Sequence, residues 1–191
     1  MSTTAKAYVT PEEYLALERK AKVKSEYYDG EMFAMGGATR QHVLIVTNIV
    51  GELRQQLRQK RCNVYSTDLR LKVSSTGLYT YPDVIAVCGE EEYWDEQKDA
   101  LLNPTVLLEV LSESSKDYDR GRKFEHYRSL DSLKEYLLVA QDKYHVEHYV
   151  RQPGNQWLLT ESRRLEDTIE LQSIECGLAL DEVYAKVEFS K

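Results

Sequence analysis

Apolar and polar positions alternate along the chain in ways that mark out its elements. Thr10-Pro11-Glu12-Glu13 reads as a helix start, with threonine at the N-cap, proline at N1 and glutamate at N3 of a capping box; the helix reaches about residue 20. Aromatic residues flank Asp29-Gly30 in the stretch 26–33, the pattern of a hairpin. After the break at Gly36-Gly37, Thr39 caps a long helix whose apolar positions Val43, Val46, Ile49, Val50, Leu53 and Leu57 recur at helical spacing. Three short strands are predicted near 63–66, 68–73 and 80–88. In the second, Leu69, Leu71 and Val73 alternate with Asp68, Arg70 and Lys72, which predicts one wet face. Val84–Cys88 and Val106–Leu111 do not alternate, which predicts central strands buried on both faces. Ser114 caps a predicted helix to about Leu130, and strands at 135–141 and 144–151 lead to Pro153-Gly154, a type II turn. Strands at 156–163 and near 169–172 and a helix at 180–186 complete an α/β pattern: a mixed sheet flanked by helices, with a β-rich C-terminal third.

Composition narrows the class. The 191 residues, 42% apolar and 30% charged, suit one folded domain over 1–191, with a helix and hairpin at 10–35, a core at 39–140 and C-terminal strands and helix at 141–191. The net charge of −7 argues against a protein that coats nucleic acid, although an acid-rich site can still hold a cation beside a local basic patch. No run is long enough to span a membrane, and MSTTAKAYVTPEEY lacks the apolar centre of a signal peptide. Cys62, Cys88 and Cys176 are far apart with no CxxC, which reads as reduced thiols in a cytoplasmic protein.

Glu109 carries the most chemical information. A carboxylate in the middle of Val106–Leu111 costs several kcal/mol unless it is paired, protonated or bound to a cation. Asp83, which begins an apolar strand after Pro82, is the candidate neighbour. Two such carboxylates repel unless a divalent cation lies between them, and oxygen-only ligands suit Mg²⁺ or Mn²⁺. The alternative is that Asp83 caps a turn and Glu109 pairs with an arginine. The following helix offers Lys116, Arg120, Arg122 and Lys123 as cations for a phosphate. Lys123 lies at the edge of the stripe of Phe124 and Tyr127 and can turn back to the strand end, whereas Arg120 and Arg122 look more solvent-facing. Weaker candidates fall away: His145 and His148 point to opposite faces of a strand, and Gly36-Gly37 lacks a Walker lysine.

Pro82-Asp83 followed by Glu109 resembles the PD-(D/E)xK nuclease signature, with Leu111 where the usual lysine stands and Lys123 in the place of a lysine migrated to the next helix. More closely, the chain is similar to the Uma-two endonuclease family. The similarity lies in 26–31 (EYYDGE), His42, 81–84 (YPDV), 108–112 (LEVLS), 118–124 (YDRGRKF) and 134–136 (KEY), with Glu113 where the family often has proline. The resemblance implies a restriction-endonuclease-like fold and metal-dependent hydrolysis of DNA phosphodiesters. Asp83 and Glu109 would hold Mg²⁺ or Mn²⁺, and Lys123 would be the cationic helper. Glu26 is an extra acid for the metal or else a solvated charge entering the hairpin. His42 faces the cleft, with Arg120 and Arg122 as further contacts for the substrate, or is a structural histidine at its helix terminus. A catalytically inactive nuclease-fold domain that binds nucleic acid or protein is the alternative. Cutting both strands of a duplex needs two sites, which leads to the expectation of a homodimer.

Overall fold

The computed structural model describes residues 8–113 and 115–189. The first helix, α1 (Pro11–Glu18), has the predicted capping box: the Thr10 hydroxyl accepts from the Glu13 amide and the Glu13 carboxylate accepts from the Thr10 amide. The hairpin follows as β1 (Ser25–Tyr28) and β2 (Glu31–Ala34), with Asp29 and Gly30 at positive φ as its two-residue turn requires. Thr39 caps α2 (Arg40–Gln56) by accepting from the His42 amide. The region read as three strands holds four: β3 (Cys62–Ser66), β4 (Arg70–Val73), β5 (Leu78–Thr80) and β6 (Val84–Cys88). A two-residue β7 (Ala100–Leu101) precedes β8 (Val106–Leu111).

One long helical segment joins β8 to β9 (Glu135–Ala140): α3 (Lys116–Tyr118), a π turn at Asp119–Lys123, and α4 (Phe124–Tyr127). The Ser114 cap lies outside the described residues. Next come β10 (Val146–Gln152), whose turn places Gly154 at φ 77°, and β11 (Gln156–Ser162). The chain ends on β12 (Thr168–Leu171), β13 (Cys176–Ala179) and α5 (Leu180–Val183).

The strands form a six-stranded sheet, β11-β10-β9-β8-β6-β3, a five-stranded sheet, β2-β1-β5-β4-β7, and the pair β12-β13. In the six-stranded sheet only β8 and β9 run parallel, so their connection must cross over a face of the sheet and does so as the α3–α4 segment. Alternation then sorts the central strands. Val106, Leu108 and Val110 of β8 join Val84 and Ala86 in a core with α2, β12, β13 and α5. Leu107 and Leu111 join Ile85 and Val87 in a second core with β4, β5 and the α4 residues Phe124 and Tyr127. Glu109 shares the parity of the second group, so it points between the two larger sheets and at the crossover helix.

Two expectations are corrected. Strand β4 has no wet face, because Arg70 and Lys72 are buried. Arg70 reaches Asp99 at 2.8 Å beside Arg19, and Lys72 lies over the Tyr79 and Trp94 rings, so the loop before β7 covers a side that alternation alone assigns to water. Cys62 and Cys88 are not free thiols. The antiparallel register of β3 on β6 sets them opposite each other, 4.0 Å apart at Cα, and they form a disulfide; only Cys176 is free. Among the described residues no helix is long and apolar enough to cross a membrane.

Candidate active site

Five elements aim polar side chains into one cleft of about 670 Å³. Asp83 precedes β6, Glu109 sits in β8, Glu26 comes from β1, and Asp119 and Lys123 come from the π turn; His42 lines the same cleft from the first turn of α2. In the β6–β8 ladder Val84 pairs with Leu108, so the next step of the register sets Asp83 beside Glu109. The Val110 amide donates to Asp83 Oδ2 at 2.7 Å, and His42 Nε2 lies 3.0 Å from Asp83 Oδ1. Asp83 is thus fixed from both sides, and it keeps some contact with solvent, at 15% exposure.

Lys123 is the electrostatic centre. Its buried ammonium lies 2.9 Å from Glu109, 3.3 Å from Glu26 and 3.5 Å from Asp119. Glu109 also accepts from the Tyr127 hydroxyl at 2.8 Å, and Glu26 accepts from the Thr80 hydroxyl. Burial by itself would strip the proton from Lys123, but Glu109, Glu26 and Asp119 outweigh it and hold the ammonium charged well above its usual range. Burial pushes Glu109 up to about 8 against the pull of Lys123, with Asp119 and Asp83 adding repulsion. Asp119 is raised too, by burial first. Three carboxylates contact this one lysine and Asp83 lies beside Glu109, so the acids outnumber the cation that can pair with them.

The π turn explains why three helix residues reach one strand end. In a uniform α-helix, at about 100° per residue, side chains at 119 and 127 diverge by about 80°. A π turn advances only about 80° per residue, so a π segment from 119 to 123 brings Asp119 and Tyr127 to within about 10° of one line, with Lys123 about 40° to the side. Tyr136 secures the turn by donating its hydroxyl to the Asp119 carbonyl at 3.1 Å.

The structure therefore brings together Glu26, His42, Asp83, Glu109 and Lys123. It does not bring in Arg120 or Arg122. Arg120 donates twice to Glu147 of β10, at 2.8 and 2.7 Å, and Arg122 is exposed; neither lines the cleft. Glu109 pairs with a lysine, not an arginine, and Asp83 serves the Val110 amide in place of capping a turn. His145 and His148 are bound separately, to Glu161 and Glu135. Asp119, Tyr127 and Lys24, which lines the cleft, were not singled out from sequence. The spacing of Asp119 and Tyr127, four residues to either side of Lys123, was the available signal.

The chemistry of the donors suits a divalent cation. They are oxygens only, surplus in charge, and open to a cleft. Among the described residues no three His, Cys, Asp or Glu side chains gather closely enough to hold a metal by themselves. Mg²⁺, however, usually retains several waters and takes only one or two carboxylates.

Comparison with known proteins places this arrangement. The sequence profile of Uma2, described as "Putative restriction endonuclease", matches residues 11–182. The chain belongs to the Uma2 family. Two uncharacterized proteins of Synechocystis sp. are similar along most of their length. One, sll1609, is 37% identical over 80% of this chain and 86% of its own; the other, slr1290, is 33% identical over 95% and 94%. The crystal structure of a putative nuclease belonging to DUF820 from Anabaena variabilis superposes with a TM-score of 0.78. It covers 94% of this chain and 99% of that one at 16% identity, a likeness of fold. Uma2 membership carries a nuclease-type function. In Uma2 terms the matched span includes both the cleft and the π turn.

Proposed function

We propose that the protein is an endonuclease that hydrolyses phosphodiester bonds in DNA with Mg²⁺ or Mn²⁺. The observation that carries this reading is the burial of Glu109 within β8, beside Asp83 and facing Lys123. A scaffold gains nothing from a carboxylate that burial pushes up to about 8. Asp83 and Glu109 would hold the metal, with Glu26 as a further oxygen ligand. A bound divalent cation lowers the pKa of a water and polarises the phosphate. Lys123 donates to the phosphate oxygen on which negative charge grows as the bond to the leaving group breaks. His42 and the Val110 amide hold the Asp83 carboxylate in a fixed orientation, and Tyr127 does the same for Glu109. Because a duplex has two strands, we propose that the working form is a homodimer.

The test is a cleavage assay over single- and double-stranded DNA and RNA with Mg²⁺, Mn²⁺ or EDTA. The expected result is internal cutting of DNA that requires the metal and disappears in Asp83→Ala. Cutting that persists in EDTA, or the absence of cutting on every substrate, overturns the reading. A second reading, a nuclease-fold domain that binds nucleic acid or protein without cutting, draws support from the lack of a three-residue metal cluster among the described residues. Titration calorimetry with Mn²⁺ separates the two: binding lost in Asp83→Ala favours the enzyme, and no binding favours the scaffold.

A further inference from the structure

The polar residues of α2 fall into two sets. Gln41, Asn48 and Gln56 donate their amides to backbone carbonyls of the C-terminal segment, at Glu188, at Val183 and Ala185, and at Gly177. Arg40 and Arg54, with Arg58 just past the helix end, are exposed and make no ion pair or side-chain hydrogen bond among the described residues. Between Arg40 and Arg61 stand five basic residues and a single acid, Glu52, in a chain whose net charge is −7. At about 100° per residue, Arg40, Thr47, Gly51 and Arg54 fall within roughly 60° of arc, while Glu52 lies about a third of a turn away, and Arg58 follows in the turn just past the end of α2. Arg40 and Arg54 are separated by about 21 Å of helix.

Two further features give this stripe a direction and an occupant. A shallow groove lined by Ala38, Thr39, Arg40, Val43, Leu44 and Thr47 shares Ala38 and Thr39 with the cleft, so the stripe is continuous with the candidate active site. At its middle Gly51 faces solvent, and a Cβ there would meet nothing within 4 Å. No internal packing calls for glycine, although in a helix it costs about 1 kcal/mol relative to alanine. Thr47 and Gly51 leave the helix backbone bare between arginines, which permits a close approach.

We infer that the exposed face of α2 is a docking track for the sugar–phosphate backbone of the nucleic acid whose scissile bond enters the cleft. The identity of the occupant rests on the nuclease reading; the charge pattern stands without it. A second copy of the chain is the poorer occupant. Two-fold packing of the stripe about Thr47 would set Arg40 of one copy against Arg54 of the other, like charge on like.

The experiment measures binding of a fluorescein-labelled DNA duplex by anisotropy, in EDTA to prevent cutting, over a salt series. Wild type is compared with Arg54→Gln/Arg58→Gln and Arg54→Lys/Arg58→Lys, with circular dichroism to confirm that α2 is retained. Each phosphate contact contributes about 0.9 to the slope of log affinity against log salt, so the glutamine pair should lower that slope by about 1.8, and the lysine pair should keep it. An unchanged slope in the glutamine pair overturns the track, as does wild type that binds no duplex down to low salt. Cleavage in Mg²⁺ is scored separately. Wild-type cutting with an unchanged slope removes the track and leaves the nuclease; a lowered slope without cutting in wild type removes the nuclease and leaves the track.

Discussion

Lys123 has two duties at the residue scale, and they can be separated. It is the only cation within reach of Glu26, Glu109 and Asp119 among the described contacts, so Lys123→Ala leaves buried acids without a partner. Breaking a buried pair costs about 3–5 kcal/mol, and the variant should melt well below wild type. Turnover should fall on the order of 10²–10³, the usual cost of one donor to a developing charge. Added Mn²⁺ should raise the melting temperature of Lys123→Ala more than that of wild type, since the ion replaces a missing positive charge. Equal shifts in the two proteins would show that the acids do not share the metal. Glu109 makes a second prediction, with a pH sign. Its carboxyl is raised to about 8 by burial, so the folded state holds the proton that the unfolded chain releases near 4.5. Stability of the metal-free protein therefore declines as pH rises from about 4.5 through about 8, by a few kcal/mol in all. Glu109→Gln has no such proton to lose. In EDTA its melting temperature should gain on wild type from pH 5 to about pH 8 and then level off, while its cleavage activity is lost. A gap that stays constant with pH would remove burial as the cause.

At the scale of elements, the crossover between β8 and β9 decides what the sequence motifs mean. A parallel pair forces the connection over one face, and the π turn at Asp119–Lys123 then turns three side chains toward Glu109. Deleting Gly121, which is exposed with nothing near its Cα on the side-chain side, should convert the π turn into ordinary α-helix. Helix content by circular dichroism should survive, and cleavage should be lost, because Asp119 and Tyr127 can no longer both meet the Lys123–Glu109 pair. Retained cleavage would show that the alignment is incidental. The edge strand β3 supplies a different test. A link between Cys62 and Cys88 closes a separation of 26 residues, for which chain entropy gives about 3.5 kcal/mol of stabilisation. Under denaturing, non-reducing conditions one thiol, Cys176, should titrate; with reductant all three should, at a lower melting temperature. Three thiols without reductant would restore the reading of free cysteines.

For the whole molecule, the apolar cores on the two faces of the six-stranded sheet share its central strands β6, β8 and β9. We propose that residues 8–189 unfold as one domain, because neither core can lose those strands and survive. Calorimetry should give one transition whose van't Hoff and calorimetric enthalpies agree; two separable transitions would divide the chain. The proposed homodimer is checked by light scattering at micromolar concentration, where a mass of one chain alone would count against it.

The sequence by itself determined the parts whose signals are local. The capping box at Thr10, the cap at Thr39, the Asp29-Gly30 hairpin, the buried β6 and β8, and the anomaly of Glu109 all follow from neighbours within a few residues, where steric and hydrogen-bonding rules act directly. The stretches that resemble the nuclease signature also located Asp83 and Lys123. What tertiary structure decided is which distant surfaces meet. Strand β4 alternates as if one side were wet, yet the loop before β7 folds over its arginine and lysine. Arg120 and Lys123 are both cationic and three residues apart, but only the turn of the helix sends one to Glu147 and the other to Glu109. Cys62 and Cys88 become partners through strand register, a relation that spacing in the chain does not encode. Charge and burial at a site are sums over segments that only the fold brings within a few ångströms, and so the chemistry of Glu109 is legible as a question in the sequence and answered by the packing around it.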